Sequence, residues 1–250
     1  MIIEKPKYQL FITLSLLFFA LIIFNGFYEI KQYKNEQLKI ADKYVLSSIK
    51  LVTEEIRNKH KKVKSFSHEH VVLLSRAVKN PDDIEVLSEL LSLSKHALPD
   101  VFALSIADKK GNIILDDFEG HIGEVCRTDL YEYINRGTEK LRVHPNSYEY
   151  HYDIVSEWQD NNVTYLIFMS FKLDYITQLI SLLNPPDQNL MLVIKDKNYL
   201  IEITEHGSRI NLPKSKSYNL TDNQISNILA EHAIPDTQWS MVNGLNSQYR

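Results

Sequence analysis

Polar and apolar positions follow three successive patterns along this chain. From position 8 to 28 the sequence reads Y-Q-L-F-I-T-L-S-L-L-F-F-A-L-I-I-F-N-G-F-Y, with no charge. A helix rises about 1.5 Å per residue, so this run is long enough for a hydrocarbon core of roughly 30 Å. Tyr8 and Tyr28 at its ends suit the headgroup boundary. No later segment repeats the pattern. From Glu29 to about Ala77 there is neither Pro nor Gly. There Leu38, Ala41, Val45, Ile49, Val52, Ile56, Val63 and Phe66 recur at threes and fours, with a polar gap at His60. This predicts a long amphipathic stalk helix. Its stripe packs either on its own domain or in a parallel coiled-coil dimer. The run Lys59-His60-Lys61-Lys62-Val63-Lys64 reads as a solvated face.

Shorter periods follow. Asn80-Pro81-Asp82-Asp83 predicts a helix start, with Asn80 as N-cap and Pro81 in the first turn. Ile84, Leu87, Leu90 and Leu91 form its inward stripe, and Pro99-Asp100 ends it. Residues 101–107 and 112–115 read as strands around the turn Asp108-Lys109-Lys110-Gly111. A loop over 117–124 leads to a short helix over 127–136, ended by Gly137. Strands are expected over 140–144, 148–155 and 163–171, the last two joined by Gln159-Asp160-Asn161-Asn162. A helix over 172–183 stops before Pro185-Pro186. This order predicts an α+β fold with an antiparallel five-stranded sheet and flanking helices. Beyond it, 190–195 and 199–204 read as a hairpin, 211–219 as loop, 221–231 as a helix and 237–242 as a last strand carrying Trp239. These elements either extend the first sheet or form a small C-terminal α/β lobe, and the lobe is expected.

The apolar run has three readings. An uncleaved anchor is expected, because the run exceeds an ordinary signal-peptide core and Asn25-Gly26-Phe27 is a poor cleavage site. A cleaved signal and a buried soluble helix are the alternatives. Lys5 and Lys7 precede the run, while Lys31, Lys34, Lys39 and Lys43 follow it. Counted literally, these charges favour the large domain inside. The short basic tail, and the mixing of the later lysines with Glu29 and Glu36, lean the other way. A net charge of −4 without a dense basic stripe argues against nucleic acid as a partner. A single cysteine, Cys126, excludes an internal disulfide framework.

Candidate chemistry lies on the central strands. Alternation over 148–155 puts Tyr148, Tyr150, Tyr152 and Ile154 on one face, and Glu149, His151 and Asp153 on the other. One reading is a tyrosine-rich core face with an exposed polar face. The other is an aromatic-lined small-molecule pocket. His68-Glu69-His70 does not match the zinc-protease spacing, which would require a histidine at Val72. A zinc site needs three or four convergent ligands, and the nine histidines are scattered along the chain, so no metal and no cofactor is expected. His144, Ser147, His151 and Asp153 are close in sequence, but no Gly-x-Ser-x-Gly elbow accompanies them, so no enzyme is expected.

Leu104-Ser105-Ile106-Ala107-Asp108-Lys109-Lys110-Gly111-Asn112, following a long membrane-proximal helix, resembles the opening hairpin of extracytoplasmic PAS-like sensor domains of the Cache class. His144-Pro145-Asn146, Tyr150-His151-Tyr152-Asp153-Ile154 and the ending Ile234-Pro235-Asp236-Thr237-Gln238-Trp239 are similar to the sensor regions of bacterial membrane diguanylate cyclases. The cyclase signature Gly-Gly-Asp-Glu-Phe is absent, so any such output lies outside these residues. The resemblance implies a cytoplasmic tail (1–7), a membrane helix (8–28), a stalk (29–78), a sensor domain (79–186) and a C-terminal extension (187–250). It implies an inner-membrane protein with a periplasmic domain, a small-molecule ligand and a homodimer through the stalk. It also places the pocket between the sheet and the segment before the third strand. The implied pocket residues are Arg142, Tyr150, Tyr152 and Tyr165, with Asp116, His121, Arg127 and Tyr131 from the covering segment. Arg142 or Arg127 would hold a carboxylate bidentately. The alternative function is a single-pass structural or docking component of an envelope assembly, without a small ligand.

Overall fold

The computed structural model describes residues 5–116, 123–137, 141–145, 150–184, 190–195, 200–204, 207–210, 226, 230 and 232–243. Helix α1 runs from Lys5 to Glu69. The chain divides into two compact units, Met1–Lys43 and Tyr44–Arg250. In the first, the large apolar side chains from Tyr8 to Tyr28 are exposed. Among the described residues, α1 is the one helix long and apolar enough to cross a membrane.

The second unit is α+β. Within it, α1 contributes a buried stripe of Val45, Val52, Ile56, Val63 and Phe66. These side chains join a core with Leu73, Leu74 and Ala77 of α2 (Val71–Lys79) and Val86 and Leu90 of α3 (Ile84–Ala97). Of the two packings open to the stripe, this is packing on its own domain. The stripe has no gap. Lys59, not His60, fills the inward position between Ile56 and Val63, and it is 4% exposed. Its ammonium pairs with Asp100 and lies 3.6 Å from Glu55. It also stands 4.9 Å from the centre of the Phe171 ring and 5.0 Å from that of Tyr175. The solvated-face reading of this basic run therefore fails at Lys59. An ammonium this deep is tolerated because a carboxylate and two aromatic faces replace its water.

Two helix boundaries differ from expectation. The stalk kinks at His70, whose backbone leaves the helical region (φ −108°, ψ 24°). The helical bonds His70 N→Phe66 O (3.0 Å) and Leu74 N→His70 O (2.9 Å) persist across it. Asn80 is the C-cap of α2 and not the N-cap of α3. Asp83 caps α3, its Oδ1 accepting from Glu85 N (3.1 Å) and Val86 N (3.2 Å). Pro81 sits in the intervening turn, where its fixed φ and missing N–H cost nothing.

The larger sheet is antiparallel, in the order β2-β1-β5-β4-β3. Its strands are β1 (Val101–Asp108), β2 (Ile113–Asp116), β3 (His144–Pro145), β4 (Tyr150–Asp160) and β5 (Val163–Lys172). Helix α4 (Glu124–Arg136) precedes β3, and α5 (Asp174–Leu183) follows β5. Strands β4 and β5 are longer than the pattern predicted, and they meet in the two-residue turn Asn161-Asn162. Both asparagines have positive φ (49° and 66°), as a tight hairpin with right-handed strand twist demands. A register shift between Val101 and Ala103 turns Phe102 and Ala103 to the same side of β1.

A second antiparallel sheet follows, in the order β8-β7-β6-β9. It comprises β6 (Leu190–Lys195), β7 (Leu200–Thr204), β8 (Gly207–Ile210) and β9 (Trp239–Asn243). Strand β8 was not expected. The helix expected over 221–231 and the loop over 211–219 lie almost wholly outside the described residues. Leu190, Leu192, Ile194, Ile203, Trp239 and Met241 belong to the same core as α1 and the first sheet. The backbone ties the two sheets as well, through Gln238 N→Leu141 O (2.8 Å) and Leu141 N→Asp236 O (3.2 Å).

Replacing Lys59 by Ala strips Asp100 of its cation and removes a packed alkyl stem. The expected loss is about 2–4 kcal/mol. Glu55→Gln, on a more exposed partner, is expected to cost under about 1 kcal/mol. Thermal unfolding of the detergent-solubilised chain reads both. Equal melting of Lys59→Ala and wild type would remove the buried-pair assignment.

Candidate functional site

Both faces of the larger sheet are covered around its centre. Tyr152, Ile154 and Trp158 of β4 join the core shared with α1. Val155 joins a second cluster on the other face, with Cys126 and Leu130 of α4, Ala103, Ala107, Leu166 and Phe168. His151 and Asp153 point the same way and are 1% and 2% exposed. The expectation of an exposed polar face is thus overturned, because α4 lies over it.

The polar groups on this covered face converge. His144 pairs with His151 across β3 and β4, and the two rings meet edge-on at 4.9 Å. Asp153 stands opposite Ser170 of β5, whose Oγ donates to Asp153 Oδ1 at 2.5 Å. From α4, Cys126 Sγ approaches His144 Nδ1 (3.0 Å) and His151 Nε2 (3.7 Å). Asp153 Oδ2 lies 3.3 Å from His144 Nδ1, and Oδ1 lies 3.9 Å from His151 Nε2. One helical turn beyond Cys126, Asp129 Oδ2 bonds the far side of the same imidazole, at His144 Nε2 (2.7 Å). Arg142 backs Asp129 (Nε to Oδ1 2.6 Å) and reaches Glu132 (Nη2 to Oε1 2.9 Å). Cys126 and Asp129 are three apart on α4, so they share one helical face.

Electrostatics follow from burial. Burial disfavours the His144 imidazolium, but Asp153 and Asp129 outweigh it and hold its pKa above the ordinary value. Burial raises the pKa of Asp129, against the opposing pull of His144 and Arg142. The Cys126 thiol is pushed far up by burial and then by the Asp153 charge, so with no cation nearby it stays protonated. Two carboxylates and two imidazoles thus share a dry space with one guanidinium at its edge. Cys126, His144, His151 and Asp153 each offer one ligand atom, all within 4.8 Å of one another. Sequence spacing did not reveal this convergence. The usable signals were weak: Cys-x-x-Asp on a helix, His-x-Asp on a strand, and a histidine in the strand before.

The eight expected pocket residues are not brought together. Arg142 belongs to the polar cluster. Tyr152 is fully buried on the opposite face, stacked on Phe171 (5.6 Å) and edge-on to Trp239 (5.5 Å). Tyr150 and Tyr165 are half-buried against that same core, and Tyr165 stacks on Trp158 at 4.8 Å. Asp116, Arg127 and Tyr131 are exposed. The Tyr131 ring covers Gly111, whose φ of +87° admits glycine readily; a Cβ there would meet the ring at 2.9 Å. His121 lies outside the described residues. A groove of about 460 Å³ opens at the far end of β4, between Lys64, His68, Tyr133, Glu157 and Trp158. It contains none of the eight.

No protein-family model and no curated protein sequence matches the chain. Among solved structures it is similar to the ligand binding domain of Mlp24 with asparagine, at 12% identity, over 62% of this chain and 69% of that one, with a TM-score of 0.38. It is also similar to the periplasmic domain of Vibrio cholerae LuxQ, at 15% identity, over 62% of this chain and 75% of that one, with a TM-score of 0.39. Both superpose on this chain only in part.

The two candidate arginines should behave differently. Arg142→Met leaves the buried Asp129 without its cation and is expected to cost about 3 kcal/mol. Arg127→Met, on an exposed side chain, should stay within about 0.5 kcal/mol of wild type. Thermal unfolding distinguishes them, and a silent Arg142→Met would show that the ion pair does not hold α4.

Proposed function

We propose that this chain is a membrane-anchored extracytoplasmic sensor module of the PAS-like Cache class. It takes a small ligand on the covered face of its sheet. It passes the signal through its stalk and membrane helix to an output outside these residues, of the cyclic-di-GMP type. The second sheet acts as an appended C-terminal lobe, and the anchor lies in a bacterial inner membrane with the large domain in the periplasm. One observation carries the reading. The helix that bears the membrane-length apolar run also supplies, farther along, the buried stripe Val45–Phe66 that closes the sheet's core. A ligand that favours one packing of that stripe over another biases the helix itself, by as much as its affinities for the two arrangements differ. A homodimer through the stalk belongs to the same proposal. Because Val45, Val52 and Ile56 are covered by their own domain, the flank with exposed Tyr44 and Leu51 is the face left for a second copy.

Cys126 is buried, so it is silent toward large impermeant reagents and leaves a clean background. A cysteine introduced at Leu182, 83% exposed, should label with an impermeant maleimide in intact cells. Labelling only after permeabilisation would place the domain inside and end the extracytoplasmic reading. In the same cells Tyr44→Cys should oxidise to a disulfide-linked dimer, and a monomer under all oxidant concentrations would remove the stalk dimer.

A further inference from the structure

We propose that Cys126, His144, His151 and Asp153 form a binding site for one divalent d-block cation of the zinc type. This deepens the sensor reading by naming a ligand class for the covered face. It stands on side-chain geometry alone, so the two can fail separately.

The donor set fits such an ion. One thiolate, two imidazoles and one carboxylate are ordinary zinc ligands. Tetrahedral zinc with Zn–S near 2.3 Å and Zn–N or Zn–O near 2.1 Å needs edges of roughly 3.3–3.6 Å between ligand atoms. The separations here are 3.0 and 3.7 Å from Cys126 Sγ to the two imidazole nitrogens, and 3.3 Å from His144 Nδ1 to Asp153 Oδ2. All four ligand atoms lie within 4.8 Å of one another, so adjustments of about an ångström close the set around a cation. The surroundings already fix the ligands. Asp129 holds His144 Nε2, so that once the second ring proton leaves, Nδ1 turns its lone pair toward the centre. Ser170 occupies Asp153 Oδ1. Asp153 Oδ2, in a residue 2% exposed, makes no hydrogen bond among the described residues. This buried carboxylate oxygen faces the His144 imidazole at 3.3 Å and the Cys126 thiol, both of which can give up a proton in favour of a cation that the carboxylate would also ligate.

Charge also balances. On binding, the Cys126 thiol and a His144 imidazolium each lose a proton to solvent, and thiolate plus carboxylate neutralise the divalent ion. The bound cation would fasten α4, through Cys126, to β3 and β4. In the sensor reading, that fastening is the ligand-dependent change.

The test uses the full-length chain in detergent, stripped with a chelator and dialysed against zinc. Wild type should retain one zinc per chain and melt at a higher temperature with zinc than without. Cys126→Ser and His151→Ala should lose both effects. Asp129→Asn should still reach one zinc per chain at saturation, with affinity weakened roughly 10–100-fold. Cobalt in place of zinc reads the ligands without any variant: wild type should show thiolate-to-cobalt charge-transfer absorption with tetrahedral ligand-field bands. No retained zinc, equal retention by Cys126→Ser and His151→Ala, or cobalt bound without the thiolate band would each overturn the proposal. None of these results bears on the maleimide labelling that tests membrane sidedness.

Discussion

Where α4 lies over it, the larger sheet has no wet face, and most of what is unusual about this chain follows from that. A sheet with one face in water can carry His, Asp and Ser on that face at little cost. Here α4 covers the second face, so His151, Asp153 and Ser170 must find partners inside the protein. An isolated carboxylate moved out of water costs several kcal/mol even after relaxation. Asp153 and Asp129 both sit near His144, and Arg142 pairs with Asp129 and with Glu132 at the edge. The network is therefore short of positive charge unless His144 keeps a proton or a cation enters. That shortage sets the chemistry of the site.

The opposite face solves a related problem with one residue. Lys59 is a charge in the middle of an apolar helical stripe, and it is matched to Asp100 at the start of β1 and to the rings of Phe171 and Tyr175. Asp100 O also accepts from Lys172 N (3.2 Å), so the ammonium touches the place where β1, β5 and α5 meet. A hydrophobic residue would pack there as well, and breaking a buried pair costs more than never having one. The pair's contribution is register. It allows α1 one sliding position against the sheet, since a turn up or down would bury Lys59 unpaired.

Much of this was legible in the sequence wherever local chemistry decided the outcome. The uncharged run from Tyr8 to Tyr28, the 3.6-period stripe and the Asp108–Gly111 turn each follow from spacing and side-chain type. The failures have a common cause. Lys59 reads as solvated because a basic run usually is, and only Asp100, far along the chain, makes it a core position. Asn80 and Asp83 are both good caps, and the choice between them depends on where α2 ends. Alternation along β4 separated Tyr152 from Asp153 correctly, but the period says which residues share a face, not which face is dry. The aromatic stripe could therefore be read as core or as pocket, and the acidic one as surface. In the fold Tyr152 is sealed against Trp239, and Asp153 is sealed under α4.

That inversion also argues for where a ligand would act. A site on the Tyr152 face would have to separate rings already in van der Waals contact, losing their mutual attraction before gaining any new one. A site on the Asp153 face starts from groups that are held in place and short of positive charge. A proton meets that shortage weakly and reversibly, since the Cys126 thiol and His144 Nδ1 each have only one hydrogen-bonding valence to offer at the centre. A divalent cation meets it with four ligands at once and draws α4, β3 and β4 to a common point. Burial also magnifies the difference between a protonated cluster and a cation-bound one, because the dielectric there is low. A differential affinity between two arrangements of the domain is what a sensor requires, and the polar face has the stronger physical basis for one.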